Sequence, residues 1–350
     1  METRPLGRTG LSVSALSLGT MTWGEQNTEA EGFEQMDYAL EHGINLFDAA
    51  ELYPIPPKAE TQGRTETILG NWMAERGTRD KIILASKVIG RSEHTWFRDD
   101  GHKPRLTAAD IEEAVNKSLK RLKTDRIDLY QVHWPDRPTT GFGNNPTVFK
   151  VPERPDDEVP IEESLEALDR LVKAGKVLHI GLSNESTWGL MKWLHASEGG
   201  RAPRVASIQN AYSLLNRTFE VNLAEAVMRE DVSLLCYSSL AQGYLTGKYR
   251  NGALPDGARK TLFNRMQRYE GPGAQEINDM YVALAEESGL DPAQMATAFA
   301  VSRPFMTSVI IGATKMEQLK TTLAAAEMKL PADVLEAIDK IQHAHANPCP

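Results

Sequence analysis

INLFDAAELY, residues 44–53, is the stretch that decides the fold. It reads as a short apolar strand that ends on an acid, Asp48, with a phenol, Tyr53, just beyond. Two later runs repeat the pattern. KIILASKVIG, residues 81–90, ends its strand near the amine of Lys87, and IDLYQVHWPD, residues 127–136, near the imidazole of His133. Reactive side chains at the ends of successive strands, each strand followed by a helix, point to a (β/α)8 barrel, which keeps its chemistry at that face.

The rest of the chain keeps the same rhythm. TRPLG and LSVSAL flank a GRTG turn, so residues 1–16 are expected to form an N-terminal β-hairpin. ALSLGT (15–20) is the first barrel strand, followed by a helix over about 28–42. RTETILGNWMAERG (64–77) has apolar residues at helical spacing. LTAADIEEAVNKSLKRL (106–122) opens with Thr107 as N-cap and acids in its first turn. The helix over 161–175 ends at Gly175, suited to the position just past a helix end. Further strands are VLHIGLSN (177–184), VASIQN (205–210), VSLLCYSSL (232–240) and TSVIIGA (307–313). Eight short apolar strands alternating with helices favour a closed parallel TIM barrel. A doubly wound sheet is the weaker reading. After the first strand only Gly19, Thr20 and Met21 with Gly24 beyond are found, and no GxGxxG follows. Segments 135–160 and 241–272 are too long for simple connections and are expected as long loops at the C-terminal face. Residues 331–350 form a last helix and tail, and residues 1–350 are read as a single barrel domain.

The chain has 350 residues, 41% hydrophobic and 25% charged, an ordinary soluble composition. A core of that size needs no disulfide or metal staple. Of the two cysteines, Cys236 lies in an apolar run and is expected to be buried, and Cys349, next to the end, to be exposed. Unpaired thiols fit a reducing cytosol. METRPLGRTG lacks the apolar stretch of a signal peptide. No run approaches the ~18–20 apolar residues of a membrane helix, so the expected location is cytoplasmic. A net charge of −9 argues against nucleic-acid or anionic-membrane binding. An anionic ligand must be held by local basic groups.

With Asp48, Tyr53, Lys87 and His133 in this setting, the chain resembles the aldo-keto reductases, and among them the bacterial Tas-type NADP(H)-dependent branch. The stretches that carry the resemblance are LGTMTWGEQ (18–26), DAAELYP (48–54), LGNW (69–72), ASKV (85–88), YQVHWP (130–135), GLSN (181–184), IQNAYSLLNR (208–217), LTGKY (245–249) and IIGATKMEQL (310–319). The activity implied is NADPH-dependent reduction of small aldehydes or ketones to alcohols. When a carbonyl carbon accepts a hydride, its oxygen becomes an alkoxide that must be protonated as it forms. Tyrosine, with a pKa near 10, is a poor acid. The Lys87 ammonium, anchored by Asp48, is expected to lower that pKa, and His133 to donate a hydrogen bond that orients the substrate oxygen.

The resemblance also implies a nicotinamide cofactor, NADPH or NADP+, extended across the barrel mouth. Gly19, Thr20, Met21 and Asp48 match the nicotinamide end. Ser183, Asn184 and Gln209 match the carboxamide ligands, and their mixed donors and acceptors suit an amide. Tyr237 matches the aromatic that stacks on the ring. Ser238, Leu240, Gln242 and Lys248 match the pyrophosphate segment, with Arg259 a further basic candidate. Gly312, Thr314, Lys315 and Gln318 match the phosphate and adenosine segment, which opens a helix and so presents free N–H groups. Ser239 stands where the family often has Pro, and Thr321 and Thr322 where it often has a Glu-Asn pair near adenine. On the substrate side, Trp23, Tyr53, His133 and Trp134, with Trp96 from the loop after Lys87, are expected to form the wall. A metal-dependent barrel hydrolase would need clustered His and Asp ligands; only His133 and Asp48 qualify and no HxH motif occurs, so no metal is expected. An NADPH-binding regulatory subunit with little turnover is the alternative, because the family includes channel-associated subunits. Homo-oligomerisation and the identity of the carbonyl substrate stay open.

Overall fold

The computed structural model describes residues 1–139, 150–200, 202–265 and 267–349. Part of the long segment expected at 135–160 lies outside the described residues. The strands are β1 (Thr3–Pro5), β2 (Ser12–Ser14), β3 (Leu16–Gly19), β4 (Leu46–Asp48) and β5 (Ile83–Val88). They continue as β6 (Ile127–Val132), β7 (Val177–Ser183), β8 (Val205–Ala211), β9 (Ser233–Tyr237) and β10 (Met306–Ile311).

β3 to β10 close into a barrel in the order β10-β3-β4-β5-β6-β7-β8-β9. Every pair in it is parallel. The expected (β/α)8 barrel is therefore the fold. Side chains alternate across a strand, and the barrel uses both faces. Phe47, Leu84, Val88, Tyr130, Val132 and Ile208 belong to the large core shared with the surrounding helices. Leu46, Ala85, Leu129, Ala206 and Leu235 form a smaller separate cluster. Leu6 and Val13 of the hairpin join that second cluster. The antiparallel pair β1–β2 thus seals one end of the barrel with apolar side chains, which leaves the other end for chemistry. Gly7, between the two hairpin strands, has φ +53° and sits against the Ala206 carbonyl, where no side chain would fit.

The helices start where capping residues stand. Thr28 accepts from the Glu31 N–H and its own N–H donates to the Glu31 carboxylate at 2.7 Å, a capping box that opens helix Glu29–Glu41. Thr107 caps helix Ala108–Leu122 by accepting from the Asp110 N–H at 3.2 Å. Gly175, with φ +73°, follows helix Ile161–Lys173. The segment 241–272 is more structured than a plain loop and includes short helical turns and the helix Arg259–Phe263. Cys236 is buried, as expected, but Cys349 is not exposed; it is 0% accessible. The chain after helix Ala332–Ala344 folds back, so that the Cys349 N–H donates to the Leu215 carbonyl at 3.0 Å and Asn347 accepts from the Arg217 N–H at 2.7 Å. No helix among the described residues is long and apolar enough to cross a membrane.

Candidate active site

The same alternation builds the site. One step beyond Leu46, Ala85 and Leu129 on their strands stand Asp48, Lys87 and Gln131. The apolar plug therefore gives way to a polar layer, and His133 follows Gln131 by one more step. Register sets Lys87 opposite Gln131, and Ser183 opposite Gln209.

The Lys87 ammonium is fully buried and makes three contacts. It donates to Asp48 Oδ2 at 2.5 Å, to the Ala49 carbonyl at 2.9 Å and to Tyr53 Oη at 3.3 Å. The other carboxylate oxygen, Asp48 Oδ1, accepts from Gln209 Nε2 at 2.9 Å and Gln131 Nε2 at 3.1 Å. The acid is thus held from three strands and its charge is directed at the lysine. The His133 ring meets the Tyr53 ring edge to face, with centroids 5.7 Å apart.

Burial works against the charged form of Lys87, but the Asp48 carboxylate and Tyr53 outweigh it and hold its pKa above the ordinary lysine value. Burial and the nearby Lys87 charge hold His133 well below the ordinary histidine value, so its ring is neutral near pH 7. At Tyr53 the expected lowering does not prevail. Burial pushes the phenol pKa up, Lys87 offsets only part of the rise, and Asp48 adds to it. The hydroxyl therefore keeps its proton at neutral pH.

Above this layer opens a cavity of about 1070 Å³. Tyr53, His133, Leu52, Ile55 and Trp134 line it together with Asp48. So do Gly19, Thr20 and Met21; Ser183, Asn184 and Gln209; Tyr237, Ser238, Leu240, Gln242, Lys248 and Arg259; and Gly312, Thr314, Lys315 and Gln318. Asn184, with φ +54°, ties the rim together. Its Nδ2 donates to the His133 carbonyl at 2.8 Å and its Oδ1 accepts from the Tyr237 hydroxyl at 2.5 Å. Among the described residues no Asp or Glu carboxylate pairs with Lys248, Arg259, Arg265, Arg268 or Lys315, all of which line the cavity. Burial and Arg259 hold Lys248 below its ordinary pKa, and burial and Arg265 do the same to Arg259. This is a cluster of like charges that an anion would relieve. Among the described residues no group of three or more His, Cys, Asp or Glu side chains is placed to hold a metal ion.

Comparison with known proteins gives this arrangement a family. Residues 15–343 match the model of the Aldo/keto reductase family. The chain is 49% identical to "Protein tas" of Escherichia coli (strain K12), with 100% of both chains covered. The chain belongs to the aldo/keto reductase family. It is also 36% identical to "Uncharacterized oxidoreductase YrpG" of Bacillus subtilis (strain 168), covering 97% of this chain and 96% of that one. It is 30% identical to a Schizosaccharomyces pombe protein named "Putative voltage-gated potassium channel subunit beta", covering 97% and 92%.

Two expected substrate contacts lie elsewhere in this aldo/keto reductase. Trp23 is a core residue, 0% exposed; its Nε1 donates to Gln35 Oε1 at 3.0 Å and its ring packs on Gly32. Trp96 is not part of the cavity lining. It stacks on His94 and Phe97, with centroids 4.2 and 5.7 Å away. Trp134 does line the cavity, and its Nε1 donates to the Arg91 carbonyl at 3.0 Å. Gly90 makes this approach practicable, because a side chain there would strike the Trp134 backbone.

Sequence reading missed several residues of the site. Gln131 holds Asp48, and its signal was present: it is two residues from His133 on one strand, hence on the same face. Gln26 lines the cavity with both side-chain amide atoms buried and without a hydrogen-bond partner among the described residues. Arg265 and Arg268 extend the basic rim.

Proposed function

We propose that this protein reduces aldehydes and ketones to alcohols with NADPH, Tyr53 being the proton donor. One observation carries the reading. A protonated phenol, 3.3 Å from a buried ammonium, faces a cavity whose rim holds cations without carboxylate partners among the described residues. The residues fit the cofactor. The unpaired Gln26 amide offers a donor and an acceptor to a polar ligand. Lys248, Arg259 and Arg265 suit a pyrophosphate, Gly312, Thr314, Lys315 and Gln318 suit the adenosine phosphate, and Tyr237 suits an aromatic ring. Ser183, Asn184 and Gln209 stand where the carboxamide is expected.

When bound, NADPH supplies the hydride. The chain's own residues do the rest. Tyr53 donates its proton to the carbonyl oxygen as charge develops there. Lys87, kept ionised by Asp48, stabilises the phenolate left behind. Neutral His133 offers one N–H to the same oxygen and orients it. Leu52, Ile55 and Trp134 form an apolar wall that suits the carbon skeleton of a small carbonyl compound. The unpaired thiols of Cys236 and Cys349 support a cytoplasmic setting.

The test is NADPH consumption over a panel of aldehydes and ketones, with NADH as control. The reading expects turnover with NADPH and weaker turnover with NADH. The likeness to the protein named as a potassium channel subunit favours a second reading, a regulatory subunit that binds NADPH and turns over little. Tight NADPH binding with no consumption on any member of the panel would decide for it.

A further inference from the structure

Behind the proton donor lies a buried charge group that the proposed reaction does not use. Glu51 is 0% exposed and Arg98 3%. Arg98 Nη1 lies 3.0 Å from Glu51 Oε2, and Arg98 Nε lies 2.8 Å from Asp110 Oδ1. Buried ion pairs seldom add net stability over apolar side chains of similar volume, so stability alone is a weak reason for this one. What the group does fix is position.

Glu51 is fastened twice to the end of β5. Its backbone N–H donates to the Lys87 carbonyl at 3.2 Å, and its Oε1 accepts from the Ile89 N–H at 2.8 Å. Lys87, whose ammonium meets the Tyr53 hydroxyl, is one of those two anchor points. Tyr53 itself is two residues beyond Glu51. On the far side Gln62 Nε2 donates to the Glu51 carbonyl at 2.7 Å, and the Gly63 N–H to the Tyr53 carbonyl at 2.9 Å. On the side of the strand that carries Lys87, the two bonds of Glu51 are the ties nearest the phenol. Arg98 aims the carboxylate, with Nη1 3.0 Å from Oε2 and Nη2 3.3 Å from Oε1. Its own direction is set by Asp110 in the first turn of helix Ala108–Leu122 and by a bond to the Phe97 carbonyl at 3.3 Å.

We propose that Glu51, held by Arg98, is a positioning residue that sets the spacing between the Tyr53 hydroxyl and the Lys87 ammonium. The proposal rests on Tyr53 being the proton donor. Neither Glu51 nor Arg98 lines the cavity, so their effect on the reaction runs through Tyr53 and Lys87 alone.

Two mild variants test it in the full-length protein with NADPH bound. Glu51→Gln keeps the shape and an acceptor for the Ile89 N–H, but removes the charge that aims the Arg98 fork. Arg98→Lys keeps the charge and loses the two-pronged geometry. In both, kcat for a reactive aldehyde should fall about ten- to a hundredfold, the order expected from sub-ångström to ångström misplacement. KM and the NADPH dissociation constant should stay within about twofold, because the interaction is made in the transition state. The alkaline limb of kcat should move to higher pH as Lys87 loses its hold on the phenol. If Glu51→Gln does not fold, Arg98→Lys carries the same readout. A fall in thermal midpoint with wild-type kcat and pH profile overturns the proposal and leaves the pair as scaffold. Tyr53→Phe is the control. If it loses activity while the two variants do not, only the positioning role fails; if it keeps wild-type activity, the donor reading fails and the positioning role with it.

Discussion

The Lys87 ammonium lies 3.3 Å from the Tyr53 hydroxyl, yet it does not make that phenol an unusually strong acid. The reason is the third member of the group. Asp48 Oδ2 stands 2.5 Å from the same ammonium, so the phenol faces an ion pair with little net charge. Burial then dominates and the proton stays on oxygen. In the proposed reaction Lys87 matters once the proton has left, when a phenolate remains beside a buried cation. If Tyr53 is the proposed donor, this division of labour lets it be protonated at neutral pH and still able to give its proton up.

Tyr53→Phe keeps the ring and removes only the hydroxyl. Loss of a general acid costs about 10²–10⁴-fold in rate. NADPH binding should persist, since the cationic rim stands on other segments. Single-turnover reduction of a nitrobenzaldehyde, with cofactor binding followed by intrinsic fluorescence, separates the two. An unchanged rate in Tyr53→Phe would remove the phenol from the mechanism and turn attention to His133.

The pH dependence follows from the two shifts. Tyr53 is raised, so its acid form persists through neutral pH and is lost only above the ordinary tyrosine value of about 10. His133 is lowered well below the ordinary value of about 6.5, so it stays neutral into mildly acidic solution. The single-turnover rate should accordingly be flat from about pH 6 to about pH 9. A rate that declines with an apparent pKa inside that window would mean that Lys87 outweighs burial. Lys87→Met should be slower than wild type at every pH, because the phenol then has a still higher pKa and Asp48 keeps Gln131 and Gln209 but has lost its cation.

Cofactor preference should reside at the start of helix Met316–Leu323, where Lys315 is the N-cap residue and has no carboxylate partner among the described residues. The Thr314 N–H beside it already donates to Gln318 Oε1 at 3.0 Å, which leaves the lysine charge to make the distinction. An exposed charged contact to one additional phosphate is worth roughly tenfold in affinity. Fluorescence titration should show NADPH bound more tightly than NADH, and Lys315→Ala should narrow the gap. Equal affinities in the wild type would rule the assignment out.

Much of this was legible in the chain because the signals are local. Strand ends carrying Asp48, Lys87 and His133, and the hairpin turn at 7–10, follow from patterning over a few residues. The order of the cavity-lining segments then follows from barrel topology. What was not legible depends on contacts distant in sequence. The sign of the Tyr53 shift turns on how burial compares with charge, and neither quantity is local. Cys349 is buried only because the tail returns to Leu215 and Arg217. The Glu51–Arg98 pair joins residues 47 apart, and an acid two residues before a tyrosine gives no hint of which way it points.

Trp23 shows the same limit and offers a direct test. An aromatic just past a strand end can face the cavity or the core, and Gln35, twelve residues on, settles which. Its Nε1–H donates to the Gln35 amide oxygen at 3.0 Å, and its carbonyl accepts from the Thr65 hydroxyl at 2.8 Å. Trp23→Phe keeps most of the ring and strips the donor, leaving a buried acceptor unpaired, which costs about 1–3 kcal/mol. Trp23→Ala adds a cavity and should cost about 3–5 kcal/mol. Urea unfolding should show the midpoint falling in that order, while KM for small aldehydes in Trp23→Phe stays at the wild-type value. A raised KM with an unchanged midpoint would return Trp23 to the substrate wall.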